Sequence, residues 1–406
     1  MITHVHIRFA INQKSDDAQI LAELNAALQH VKDGPVFVIG SWQTGDFGHI
    51  YAAAVRHYTK TPLDPFSILV LQAEGFGVDR LLSDIEFGIR TVSEFYNGRF
   101  TLLHTDAISK NRAINAMQGL KVYKYVHEPY EATFWAKESV QSMTQGQPLT
   151  AVWGDIVRGK SGGHHEAYTQ ICASFMEAYI ERFGISTGRE KFVCLWGRTS
   201  GMPTKDRPLG GANPQYDSSE FGNQQLCLNL KYRIPSIKAI LIVGDGFNAQ
   251  TTQLQHVFNL GSFWKRQQSV MMGRFQENGF FDYMTAFYDC DVVHVGMKSG
   301  GMDVLGIWGQ KVVFIDSLRS PEVTKARVGA WTTKNLMPVP ISEMPTAMGK
   351  AIEIARDEKP SSFKTTFSKT SQVRAMEKIV EREELDDLFN NTDLDRIASA
   401  VMQMFG

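Results

Sequence analysis

Residues 291–316 read DVVHVGMKSGGMDVLGIWGQKVVFID. An apolar run, a small glycine-bearing turn, an amphipathic helical segment and a second apolar run follow one another. That is the order of a strand, a helix and a second strand, with the turn Lys298-Ser299-Gly300-Gly301 at the first handover. Such a junction points backbone N–H groups and the positive end of a helix dipole at one spot, which suits a phosphate or diphosphate. Gly300 and Gly301 let a ligand approach the main chain closely. Asp303, one turn in, is placed to reach a ribose or sugar hydroxyl. The spacing is neither G-x-G-x-x-G nor a Walker loop, so it does not mark a nicotinamide enzyme or an ATPase. The competing account is an ordinary turn whose Ser-Gly-Gly caps a helix.

The same alternation runs outward from this segment in both directions. Strand patterns fall at 5–11, 35–40, 66–72, 100–104, 121–126 and 149–153, with helical spacing at 17–31, 49–58, 78–95, 110–118 and 165–183. A small, polar, glycine-bearing break at 184–190 follows. The pattern then restarts, with strands at 191–196, 239–243, 291–295 and 311–315 and helices at 218–230, 280–288 and 302–308. Strands alternating with helices at this spacing imply an α/β protein built from parallel sheets covered on both faces. At 406 residues the chain is too long for one ordinary core. The expected division is 1–187, 188–370 and a helical tail at 371–406 that packs back on the domains.

Ligands of open parallel sheets bind outside the carboxyl ends of the strands. After the second strand the chain reads Gly40-Ser-Trp-Gln-Thr-Gly-Asp-Phe-Gly-His49. Asp46 or His49 can serve there as a general base toward an acceptor hydroxyl; alternatively Asp46 is a helix cap and His49 a helix-surface residue. The second half's first strand ends in Trp196-Gly-Arg198-Thr-Ser-Gly201, and an arginine leaving a strand end is suited to clamp a diphosphate with its planar fork. The alternative is a surface arginine paired with an acid. Lys205 and Arg207 add positive charge. Gly244, at the strand end Gly244-Asp245-Gly246, permits close approach of a ligand and Asp245 could hold a base or ribose, although a plain turn is the better account. Gly162-Gly163-His164-His165-Glu166 resembles a metal cluster, but adjacent histidines at a helix start diverge and no third ligand follows, so no metal site is expected.

Composition narrows the classes. With 42 Lys+Arg against 43 Asp+Glu there is no basic stripe for nucleic acid. Four scattered cysteines form no C-x-x-C pair, which fits buried free thiols in a reducing cytosol. No apolar run approaches the roughly 20 residues of a membrane span, and the first residues lack the build of a signal peptide. A cytoplasmic protein without an integral membrane segment is expected.

On these motifs the chain resembles nucleotide-sugar-dependent glycosyltransferases of the GT-B fold, which have two Rossmann-like domains facing across a cleft. Gly45-Asp46-Phe47-Gly48-His49 is similar to the Gly-Asp-x-x-His element of lipopolysaccharide heptosyltransferases, where the aspartate is the presumed base. His294-Val-Gly-Met-Lys-Ser-Gly-Gly301 resembles the turn with which heptosyltransferases and fucosyltransferase-like proteins hold the donor diphosphate. Arg198 sits where several of them place a basic donor-binding residue. The chain departs from the family in three ways: Lys298 replaces the acid of the heptosyltransferase motif, Asp303 occupies its histidine's neighbourhood, and an extra strand and helix precede the first motif. The resemblance implies transfer of a sugar from a nucleotide-diphosphate sugar to an acceptor hydroxyl or other nucleophile, without a metal and with inversion. Asp46 and His49 then belong to catalysis, and Arg198, Gly244, Lys298, Ser299, Gly300, Gly301 and Asp303 to the donor. The nucleotide sugar is a co-substrate, no further cofactor is implied, and the acceptor is a glycan, a small molecule or a protein. A sugar-nucleotide epimerase of the same fold, or a non-catalytic nucleotide-sugar-binding regulator, would use the same diphosphate site.

Overall fold

The structure, a computed structural model, describes residues 4–12, 14–129, 131–132, 189–198, 216–244, 254–260, 281, 284–285, 288–307, 309–319, 335–358, 377–379, 381–382 and 384–406. The expected strand at 149–153, the helix at 165–183, the histidine pair at 164–165 and the side chains of Lys205, Arg207 and Asp245 lie outside those residues.

The first half contributes strands β1 (His4–Phe9), β2 (Val36–Gly40), β3 (Pro65–Leu71), β4 (Arg99–Thr105) and β5 (Val126–His127). Helices α1 (Asp17–Leu28), α2 (Phe47–Lys60), α3 (Asp79–Phe95) and α4 (Lys110–Leu120) connect them. All pairings are parallel, in the order β1-β4-β3-β2-β5. Phe37, Ile39, Phe66, Ile68 and Val70 point to one face and meet α2 and α3. Val36, Val38, Leu69 and Leu71 point to the other and meet α1 and α4. Burial on both faces is why these strands read as apolar runs. Asp16 starts α1 with a capping box, accepting from the Gln19 N–H while the Gln19 side chain accepts from its own.

The second half holds β6 (Lys191–Gly197), α5 (Glu220–Arg233), β7 (Ile237–Gly244), β8 (Val257–Asn259), β9 (Asp291–Met297), α6 (Gly300–Ile307), β10 (Lys311–Ser317), β11 (Leu336–Ile341), α7 (Ala347–Glu358) and α8 (Asn391–Phe405). Its sheet is again all parallel, in the order β11-β10-β9-β6-β7-β8. Counted from its own first strand this is 3-2-1-4-5-6 read from the β8 edge, the doubly wound order of dinucleotide-binding sheets. The tail helix α8 packs on this sheet: Leu394, Ile397, Val401 and Met404 join its core. Fully buried Asp393 pins it by accepting the backbone N–H groups of Ser342 at 2.8 Å and Glu343 at 3.2 Å.

The two halves share a core. Met302, Val304, Leu305 and Ile307 of α6 belong to the same apolar cluster as α2 and the first sheet. Gly48 makes this possible, because a Cβ there would stand 2.4 Å from Val304 Cγ2. No helix among the described residues is long and apolar enough to cross a membrane.

Candidate functional site

Among the described strands each sheet has one place where the strand order reverses, and the strand ends flanking such a point are where ligands of open α/β sheets bind. In the second sheet the reversal lies between β6 and β9, whose register pairs Trp196 with Gly296. The residues that follow are Arg198 and Lys298, so the two candidate cations leave neighbouring strand ends. Arg198 Nη1 comes within 3.5 Å of the Lys298 carbonyl oxygen.

Neither cation stands without a counter-charge. Arg198 Nε donates to Asp217 Oδ1 at 3.1 Å, and that carboxylate is fully buried. The loop carrying it is fastened to the strand end: the Ser218 N–H donates to the Arg198 carbonyl at 2.8 Å, and the Arg198 N–H donates to Ser218 Oγ at 3.1 Å. Lys298 Nζ lies 3.4 Å from Asp316 Oδ2, at the end of β10, and 5.4 Å from the Tyr216 ring centroid. Carboxylates therefore hold both side chains at the strand ends, which fixes where a diphosphate would find its cations. Asp217, Asp316 and Tyr216 are neighbours of the two cations that motif spacing does not single out. Asp316 carries a usable signal, since an acid closing the apolar run VVFIDS marks a strand end. Asp217 and Tyr216 carry none, because only the fold returns them to β6.

Ser299 does cap α6: its hydroxyl accepts from the Met302 N–H at 3.4 Å, and its carbonyl accepts from the same N–H at 3.0 Å. Gly300 and Gly301 form the first turn behind it. The N–H groups of a helix's first turn lack intrahelical partners, so this end combines dipole, donors and an adjacent lysine. Gly244, with φ +110, serves its neighbouring strand: a Cβ there would stand 2.0 Å from the Gly197 carbonyl oxygen. Strand packing therefore demands glycine at that point.

The first sheet reverses between β2 and β5, and the segment Gly40–His49 leaves the end of β2 there. Asp46 closes a single 3-10 turn, Thr44–Asp46, and precedes α2, making no side-chain cap to that helix. This turn packs against α6. His49 is buried, at 1% exposure, and its Nε2 donates to Asp303 Oδ2 at 3.1 Å. Asp303 is itself only 4% exposed, so its carboxylate is turned toward the first half. The fold thus brings Asp46, His49, Asp303 and the Ser299–Gly301 turn to one junction, with Lys298 and Arg198 beside it and Gly244 across β6. Among the described residues no group of three His, Cys, Asp or Glu is arranged to hold a metal ion. Cys194, Cys227 and Cys290 are free and buried, and burial pushes the thiols of Cys227 and Cys290 up to about 12.

Fold and site together define, among the described residues, a two-sheet, all-parallel α/β protein with a carboxylate just past a strand end of one half and paired cations at strand ends of the other. No protein-family profile matches the sequence, and no curated protein does. Solved structures similar to it include one described as a glycosyl transferase family 9 protein from Veillonella parvula DSM 2008. It is 11% identical, over 86% of this chain and 98% of its own, with a TM-score of 0.41. A glycosyltransferase from Rickettsia africae ESF-5 is 10% identical, over 92% of this chain and 97% of its own, with a TM-score of 0.30. At such scores the overlap is loose, and the chemistry rests on the chain's own residues.

Proposed function

We propose that this protein is a glycosyltransferase that moves a sugar from a nucleoside-diphosphate sugar to an acceptor hydroxyl. The observation that carries the reading is the packing of the Thr44–Asp46 turn against α6, the helix whose first turn follows Lys298. A carboxylate and the proposed diphosphate site are thereby neighbours, as transfer between two substrates requires.

In this reading the donor diphosphate lies on the N-terminus of α6, between Arg198 and Lys298. Asp46 takes the proton of the acceptor hydroxyl as its oxygen attacks the anomeric carbon. The bond from that carbon to the diphosphate breaks, and the charge gathering on the leaving oxygens is met by the two cations and the helix end. These groups are the reason for proposing a metal-independent reaction. In-line attack from the side of Asp46 inverts the anomeric centre. His49, buried and committed to Asp303, is assigned to orienting the junction rather than to proton transfer. Asp303 is reassigned with it, from a sugar hydroxyl to His49.

Incubation with a panel of radiolabelled nucleotide sugars tests the proposal. Transfer or slow hydrolysis of one donor supports it. Conversion of the sugar without release of nucleoside diphosphate would replace it with an epimerase, and tight binding without turnover would replace it with a sensor.

A further inference from the structure

Helix α5 turns an apolar stripe outward. Phe221, Leu228 and Tyr232 are 59%, 58% and 80% exposed, while Leu226, Cys227 and Leu230 on the opposite side fill the core of the second sheet. Positions 221, 228 and 232 fall on one line of an α-helix, separated by seven and four residues. Scattered single apolar residues need no explanation, but three large ones along one helix mark a contact surface.

The stripe is centred on the helix: Phe221 and Tyr232 lie one residue in from its two ends, at Glu220 and Arg233, and Leu228 lies near its middle. On one flank of the stripe Glu220 stands at the helix start and Lys231 near its end. We infer that this face of α5 pairs with the same face of a second copy of the chain, the two helices running antiparallel about a two-fold axis. Under that operation Phe221 of each copy meets Tyr232 of the other, and the two Leu228 side chains meet near the axis. A two-fold contact pairs each flank with itself, so Glu220 of each copy comes beside Lys231 of the other. Lys231 already donates from Nζ to the Pro235 carbonyl at 3.0 Å and also to that of Ile237, which holds its charge at this end of the helix. Opposite charges at the two ends of one flank are complementary to each other in this antiparallel self-pairing. A helix of 14 residues spans about 21 Å, so the contact is small and the dimer weak, with a Kd on the order of 10 µM.

Sedimentation equilibrium of the full chain tests this. The wild type should pass from monomer to dimer across that concentration range, and Leu228→Glu, at an exposed position, should remain folded by circular dichroism and monomeric. Glu220→Lys and Lys231→Glu each place like charges at both ends of the contact and should each weaken the dimer roughly tenfold. Mixing the two variants should restore it, because in the mixed pair both ends again carry opposite charges. A wild type that is monomeric at ~200 µM, well above the expected Kd, overturns the proposal. So does a dimer indifferent to Leu228→Glu, or variants whose mixture associates no better than either alone. A monomer that instead binds anionic phospholipid vesicles through this face would assign the stripe to a membrane surface and equally overturn it.

Discussion

His49 and Asp303 stand 254 residues apart in the chain and 3.1 Å apart in space, both nearly sealed from solvent. The contact links the first turn of α2 to the first turn of α6, and so links the two halves at the junction that carries the candidate chemistry. A buried polar pair in this position is costly to break from one side only, because the remaining partner loses its hydrogen bond without regaining water. His49→Ala and Asp303→Ala should each lower stability by about 1–3 kcal/mol. The double variant should cost less than their sum by at least about 0.5 kcal/mol. Urea unfolding of the four proteins measures this, and strict additivity would show that the pair contributes no coupling.

Asp46 stands at the mouth of α2 without capping it, and the proposal gives its carboxylate to the acceptor side of the reaction. Asp46→Asn keeps the shape and removes the proton-accepting charge. Turnover should drop by about 10²–10⁴-fold, with nucleotide affinity nearly unchanged. His49→Gln should affect turnover less than Asp46→Asn. The reverse order in steady-state kinetics would return the role of base to the histidine.

The donor side depends on geometry as much as on charge. Gly300→Val should block approach to the start of α6 and abolish binding of a nucleoside diphosphate in calorimetry, with the circular dichroism spectrum retained. Arg198→Lys keeps the charge but loses the fork that reaches Asp217 and the ligand together. It should weaken the same ligand by about 1–2 kcal/mol. Full affinity in both variants would move the diphosphate elsewhere.

His294 supplies a pH dependence. Its ring lies in the core of the second sheet, fully buried, accepting at Nδ1 from Trp196 Nε1–H at 3.0 Å. Burial lowers its pKa from 6.5 to about 3. The unfolded chain then binds a proton that the folded chain refuses, so stability is present above the unfolded value and declines as the pH falls toward the folded one. Between roughly pH 7 and 5 this single group should remove about 2 kcal/mol. Urea unfolding across that range should show the slope, and His294→Phe should flatten it; an unchanged slope would assign the dependence to other groups.

Much of this architecture is legible because the strands are buried on both faces, and continuous runs such as VFVIG at β2 or VVFID in β10 fit a central parallel strand far better than a helix or a loop. The failures have local causes. β11, reading LMPVPI, carries Pro338 and Pro340, which argue against a strand unless it lies at a sheet edge, as it does. The run at 121–126 alternates like a strand, yet only Val126 and His127 pair with β2; turns at Tyr123 and Val126 use the preceding backbone. At the site, motif spacing marks Asp46, Arg198 and Lys298 as strand-end groups. It does not reveal that Asp217 and Asp316 neutralise the two cations, or that Asp303 faces His49. Those relations join residues distant in sequence, and periodicity holds no record of them. The glycines also hold relations that spacing does not show: Gly48 makes room for Val304, and Gly244 for Gly197.

The placement of Met302, Val304, Leu305 and Ile307 in the core of the first sheet has a consequence for how the molecule comes apart. Two sheets in tandem suggest two melting units that could be expressed separately. Here, cutting the chain between the sheets would expose the α6 side chains on one piece and the α2 surface that covers them on the other. Each sheet would lose its part of the one cluster that the two halves share. Calorimetry should accordingly record one cooperative endotherm in place of two.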